Sequence, residues 1–85
     1  MKKKVQEKSE IRKYYLSEFQ LYDGEAFVTF NIIAINTSKN EITVAVSNRG
    51  RISVITYDLL TDNNGSLYFE YGVDYEKIRI DDFEV

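Results

Sequence analysis

The chain has 85 residues, enough for one small domain with a thin core of two layers. It has no cysteine and no histidine, which excludes disulfides, thiolate zinc sites, thiol catalysis and a histidine general base. With 14 acidic and 11 basic side chains, the net charge is −3. We therefore expect a protein that is not an enzyme and that uses no metal and no cofactor.

Basic and acidic residues are distributed unevenly along the chain. Residues 1–13 carry six basic and two acidic side chains, a net of +4, whereas residues 14–85 carry five basic and twelve acidic ones, a net of −7. A basic arm can contact phosphates or an acidic partner, whereas an acidic body repels nucleic acid and favours a basic protein surface. Solubility alone also favours a net charge, so both interpretations stay open.

The longest apolar run is the four-residue segment Ile32–Ile35, far short of the ~18 residues that cross a bilayer. The lysines after Met1 are not followed by an apolar segment, so we expect no secretory signal there. These features predict a cytoplasmic protein without a membrane partner. A small chain rich in Ile, Lys, Asn and Tyr also suits a phage or plasmid protein.

The polar residues 1–12 are predicted to form a basic N-terminal tail or a short helix, followed by a single antiparallel β domain at residues 13–85. Two segments rich in aromatic and β-branched residues come next, Tyr14–Tyr22 and Glu25–Ile35. Between them lies Asp23–Gly24, the pair favoured in two-residue type I′ hairpins. This turn sets Phe19 opposite Val28 and gathers the apolar side chains on one face.

Four further segments alternate apolar and polar residues, as half-buried strands do: Glu41–Ser47, Arg51–Asp58, Leu67–Tyr71 and Glu76–Ile80. Short turns rich in Asn, Asp and Gly separate them. The pattern predicts a mainly β fold of five to six strands, arranged as a small antiparallel sheet or as a barrel of SH3-like or OB-like size.

Seven tyrosines are too many for so thin a core, so we expect several of them at the surface. Exposed tyrosines stack on bases or fill protein interfaces, although tyrosine is also an ordinary strand former. Because the body is acidic, we favour a protein interface. The residues predicted to form it are Tyr68, Glu70, Tyr71, Asp74, Tyr75, Glu76, Asp81, Asp82 and Glu84.

Nucleic-acid binding is the alternative. Two arginines flank Gly50, and such a turn can grip a phosphate, although it also suits a solvated hairpin. The residues predicted to hold phosphates in that case are Lys2, Lys3, Lys4, Arg49, Arg51, Lys77 and Arg79.

Closely spaced carboxylates can bind Ca²⁺ or Mg²⁺, and Asp58–Gly65 loosely resembles a calcium loop. The EF-hand spacing is absent, however, and no pattern predicts a cleft that would hold two carboxylates for hydrolysis. We interpret these groups as solvated turns and strand ends.

Three hypotheses follow. The first is a module that docks its acidic, tyrosine-rich β surface on a basic protein surface, with inhibitors that mimic the charge of DNA as one form of it. The second is a small nucleic-acid-binding barrel that uses the basic arm. The third is a homo-oligomer in which exposed tyrosines and sheet edges pair between copies.

Overall fold

The computed structural model describes residues 13–84, within which seven antiparallel strands form two sheets. The strands are β1 (Glu18–Tyr22), β2 (Phe27–Asn36), β3 (Glu41–Asn48), β4 (Arg51–Asp58), β5 (Leu60–Thr61), β6 (Leu67–Tyr71) and β7 (Glu76–Arg79). A 3-10 helix, Ile80–Asp82, follows β7. The predicted mainly β antiparallel fold is confirmed, while the predicted tail or helix at residues 1–12 lies outside the described residues, as does Val85.

The first sheet has the order β1-β2-β3-β4, and the second has the order β5-β6-β7. Leu59 is buried where the chain passes from β4 into β5, and its N–H donates to the carbonyl of Asn40 at 2.8 Å. This short connection holds the end of the first sheet next to the start of the second.

Both sheets contribute to one apolar core, because each strand directs alternate side chains inward. Val44 on β3 and Phe69 on β6 are fully buried, and the ring of Phe69 stacks on Tyr57 of β4 with centroids 4.9 Å apart. Phe30 of β2 meets Phe69 edge-on at 5.8 Å. A register shift between Ile32 and Ala34 in β2 marks a bulge in the first sheet.

The predicted two-residue turn at Asp23–Gly24 is wrong, although the prediction of the buried face is right. In the structure Phe19 pairs with Phe30, so the loop spans four residues, 23–26, and the register differs from the expected one by two positions. The Asp23 carboxylate accepts hydrogen bonds from the N–H groups of Glu25 and Ala26, both at 2.9 Å, and thereby stabilises the longer loop. A shift of two residues keeps every side chain on its face.

The type I′ turn occurs instead between β3 and β4, where Arg49 and Gly50 have φ angles of 53° and 81°. β1 begins at Glu18 and not at Tyr14, because Leu16 takes a left-handed conformation with φ of 65°. Residues 13–16 therefore form a turn, and the N–H of Leu16 donates to the carbonyl of Ile32.

Candidate functional site

The β6–β7 hairpin ends in a four-residue loop that projects two apolar side chains into solvent. Tyr71 pairs with Glu76, and residues 72–75 form the loop, which we call the β6–β7 tip. The N–H of Tyr75 donates to the carbonyl of Gly72 at 3.2 Å and closes the turn. Val73 is 92% exposed and Tyr75 is 72% exposed, so the loop buries neither of them.

The backbone of the tip is strained at Tyr75, whose φ is 53°. This left-handed conformation brings the Cβ atom of an L-residue close to the neighbouring carbonyl and costs about 1–2 kcal/mol. Hairpin loops usually place glycine or asparagine in such a position. The chain instead holds a large, exposed aromatic side chain there, and strain of this kind is concentrated at binding and catalytic sites.

Three exposed carboxylates lie in the tip or close to it in sequence: Glu70, one residue before the end of β6, Asp74 in the loop, and Glu76 at the start of β7. Glu70 lies directly across from Lys77, but the Lys77 ammonium contacts another carboxylate, that of Asp62, at 3.0 Å. The charge of Lys77 is thus directed toward Asp62, and the tip keeps its acidic character.

The ammonium of Lys77 also lies 4.5 Å from the centroid of the Tyr68 ring. The hydrogen bond from Lys77 lowers the pKa of Asp62 below its ordinary value, and the backbone N–H of Ser66 adds to this effect. Lys77, Asp62 and Tyr68 therefore form one internally satisfied group on the outer face of the second sheet.

A second acidic group lies where the C-terminal segment reaches the edge of β1. The backbone of Glu84 exchanges two hydrogen bonds with that of Glu18, at 2.8 and 3.1 Å. These two residues and Asp82 line an open depression of about 430 Å³, together with Phe19 and Gln20. Sequence reasoning missed Glu18 as a member of this group, since only the folded chain brings it beside Glu84.

Asp81, next along the 3-10 helix, is exposed and accepts a hydrogen bond from the Tyr14 hydroxyl at 3.0 Å. Three of the predicted interface carboxylates therefore lie on this C-terminal segment: Asp81, Asp82 and Glu84. The structure thus divides the predicted acidic residues between the β6–β7 hairpin and the segment that follows β7.

The acidic excess lies at the surface. Residues 13–84 carry twelve acidic and six basic side chains, and the ion pairs formed among them use only three of the acids. Those three are Asp23 and Glu25, which contact Arg49, and Asp62, which contacts Lys77. Nine carboxylates therefore have no ion-pair partner within that range.

The three tyrosines of the predicted interface have different environments. Tyr71 is half-buried and packs edge-on against Phe30 in the core, with centroids 4.9 Å apart. Tyr68 is half-buried beneath the ammonium of Lys77. Tyr75 is the most exposed of the three. Val73, which sequence reasoning missed, is a second exposed side chain in the same loop. An apolar residue within a turn is the sequence signal that could have identified it.

The basic residues of the alternative prediction lie in two separate places. Arg49, in the β3–β4 turn of the first sheet, contacts Glu25 at 3.1 Å and Asp23 at 3.9 Å. Lys77 and Arg79 lie on the second sheet, where Arg79 donates to the Ser66 hydroxyl at 3.0 Å. Arg51 is exposed at the start of β4, and Lys2, Lys3 and Lys4 lie outside the described residues.

Comparisons of the chain with protein-family models, with curated proteins and with solved structures found no match. No helix within residues 13–84 is long and apolar enough to cross a bilayer. Any function must therefore be inferred from the charge, exposure and conformation of the surface residues.

Proposed function

We propose that this chain is a small non-enzymatic binding module that docks its acidic β surface on a basic surface of another protein, with the β6–β7 tip at the centre of the contact. The observation that carries the proposal is the strained, exposed Tyr75, flanked by carboxylates that no cation neutralises within residues 13–84. Interfaces of this kind combine a few apolar anchors with a charged rim.

The two kinds of group are expected to contribute differently. Full burial of a side chain such as Val73 stabilises a complex by about 1.5–3 kcal/mol, and tyrosine is among the residues that most often dominate binding energy. Rim carboxylates such as Glu70 and Glu76 mainly accelerate association and select the partner. Tyr75 and Val73 therefore determine the affinity, and the acids determine the rate and its salt dependence.

The excess of unpaired acids also supports the inhibitor form of the proposal, in which the partner normally binds nucleic acid. A groove that binds phosphates presents arginine and lysine side chains, and an acidic protein surface competes for them. In that case duplex DNA or RNA and this chain exclude each other from the partner. Arg49 and Lys77, whose charges are already directed at carboxylates, would not oppose such binding.

The test uses a partner captured from the native cell after nuclease treatment and then purified. Its affinity is measured for the unmodified chain, for Tyr75→Ser and for the matched control Tyr22→Ser, which removes an exposed tyrosine from the first sheet. We expect Tyr75→Ser to weaken binding by about 30-fold, equivalent to about 2 kcal/mol, and Tyr22→Ser to leave it unchanged.

Equal effects of the two variants would contradict the proposal. So would a captured partner whose association rate does not fall as the salt concentration rises. Tight, salt-sensitive binding of an oligonucleotide by the chain itself would instead support the nucleic-acid alternative.

A further inference from the structure

Strand β4 is an edge of the first sheet and lacks the features by which proteins usually protect such an edge. It pairs with β3 along its whole length without a register shift. Its segment Ile52–Tyr57 contains no charged residue, no proline and no glycine. Edge strands are normally interrupted by a lysine, a proline or a bulge, because their unpaired backbone groups otherwise bind another strand.

The turn before β4 determines which backbone groups face outward. In a two-residue hairpin the closing pair, here Asn48 and Arg51, is joined by hydrogen bonds, and bonded residues then alternate along the strand. Arg51 and every second residue after it therefore bond to β3, whereas Ile52, Val54 and Thr56 direct their N–H and C=O groups away from the sheet. None of these outward groups has a backbone partner among residues 13–84.

The opposite edge of the same sheet is in a different state. There the backbone of Glu84 is hydrogen-bonded to that of Glu18 and blocks the start of β1. Both of these residues also carry a carboxylate at this edge. Of the two edges, β4 is thus the longer and the one without a covering segment in the described part of the chain.

We propose that β4 binds β4 of a second copy of this chain in antiparallel orientation, so that the two four-stranded sheets join into one. The two-fold axis of such a pair is perpendicular to the sheet, and it sets residues of the same face opposite each other. The side chains of Ile52 and Val54 lie on the exposed face of the sheet, where they are 73% and 67% exposed. In the dimer they lie next to the same side chains of the second copy and are partly covered.

The two ends of β4 carry charges of opposite sign, and this favours the antiparallel orientation of the second copy. The beginning of β4 carries Arg51, whereas its end carries Asp58, which lies directly across from Glu41. Like charges in such a pair repel each other, and residues 13–84 supply no cation in contact with either. Antiparallel pairing brings the Arg51 end of each copy to the Glu41–Asp58 end of the other, whereas parallel pairing would place the two acidic ends together.

This dimer is independent of the proposed protein-binding function, because β4 belongs to the first sheet and the β6–β7 tip to the second. Loss of the dimer with partner binding intact, and the reverse result, are therefore distinguishable.

The test is analytical ultracentrifugation of the full chain from micromolar to millimolar concentration, with amide hydrogen exchange measured by NMR over the same range. We expect the mass to rise toward twice that of the monomer. As the mass rises, the amides of Ile52, Val54 and Thr56 should gain at least tenfold protection from exchange. The amides of Ser53 and Ile55 should stay protected at every concentration.

A proline at position 54 removes an outward N–H that β3 does not use, and edge strands accept proline in that situation. Val54→Pro should therefore remain monomeric at every concentration, whereas the control Val54→Thr, which keeps the N–H, should still dimerise. A wild-type chain that stays monomeric at millimolar concentration would overturn the proposal. Protection of the outward amides that does not depend on concentration would also overturn it, since a segment of the same chain would then cover β4.

Discussion

Two of the four-residue hairpin loops in residues 13–84, those at residues 23–26 and 72–75, use the same length of chain in opposite ways. In the loop at residues 23–26 the carboxylate of Asp23 accepts two backbone N–H groups, the Tyr22 hydroxyl donates to the Gly24 carbonyl, and Arg49 contacts Glu25. The loop satisfies its own polar groups and exposes no large apolar side chain.

The β6–β7 tip has one backbone hydrogen bond across the turn, a strained Tyr75 and a nearly fully exposed Val73. No side-chain hydrogen bond within the described residues supports this loop, and the proposed function explains its exposed side chains as a docking surface. Under the proposed function the first loop serves the fold and the second serves binding, and this difference can be tested by exchanging or altering the loops.

The largest effect is expected when the sequence of the first loop replaces that of the second, by the substitutions G72D, V73G, D74E and Y75A. The aspartate then supplies the carboxylate that closes the loop, so the hairpin should still form. Both apolar anchors are lost, and binding to the captured partner should weaken about 100-fold or more.

A control for this exchange is its reverse, the sequence Gly-Val-Asp-Tyr placed at residues 23–26. It should lower the melting temperature, because two backbone N–H groups lose the Asp23 carboxylate. It should leave partner binding unchanged. Binding that survives the first exchange, or is lost in the second, would reverse the roles assigned to the two loops.

Acid should destabilise the protein through carboxylates that have polar partners within the fold. Hydrogen bonds from the N–H groups of Ala26 and Glu25 lower the pKa of Asp23, and Lys77 and Ser66 lower that of Asp62. A folded-state pKa below the ordinary value of about 3.9 means that the stabilisation is complete above that pH and is lost as the pH falls through the lowered pKa.

The measurement is the midpoint of urea unfolding from neutral pH down to about pH 2. Asp62→Asn should reduce the loss of stability between neutral and acidic pH, because it removes one of the two groups. A variant whose midpoint follows pH as the unmodified chain does would show that the contact with Lys77 contributes no stability.

The smallest effect is expected at the rim of the tip. Glu70→Gln and Glu76→Gln each remove one exposed charge and should weaken binding by no more than about fivefold, or about 1 kcal/mol. The change should appear in the association rate, and it should disappear at high salt because exposed charges are screened. A change confined to the dissociation rate would indicate instead that these carboxylates are buried in the complex.

Strict alternation made β3 and β4 predictable. Ile42, Val44 and Val46 are all buried, and β4 has the predicted bounds Arg51–Asp58. For the first hairpin, the buried and exposed faces were predictable but the loop length was not. Residue spacing does not show that the Asp23 carboxylate will accept hydrogen bonds from two N–H groups and enlarge the loop. Sequence reasoning also placed the start of β1 too early, because no pattern reveals the left-handed Leu16.

The candidate site was predictable in its composition but not in the exposure of its members. The inward position of Tyr71 follows from its alternation with the buried Phe69, so the sequence did contain that information. The strain at Tyr75 did not follow, because the usual glycine or asparagine signal is absent from that position. The approach of Glu84 to Glu18 depends on the packing of the whole chain.

The most direct test of the central claim is to measure partner affinity and unfolding free energy on the same variant, Tyr75→Gly. Glycine adopts the left-handed conformation without the side-chain clash, and this relief offsets its greater backbone freedom, so stability should stay within about 1 kcal/mol of the original. Affinity should fall about 30-fold. A variant that binds as tightly as the original chain, or that loses stability and affinity together, would contradict the claim that Tyr75 is held in a strained conformation for binding.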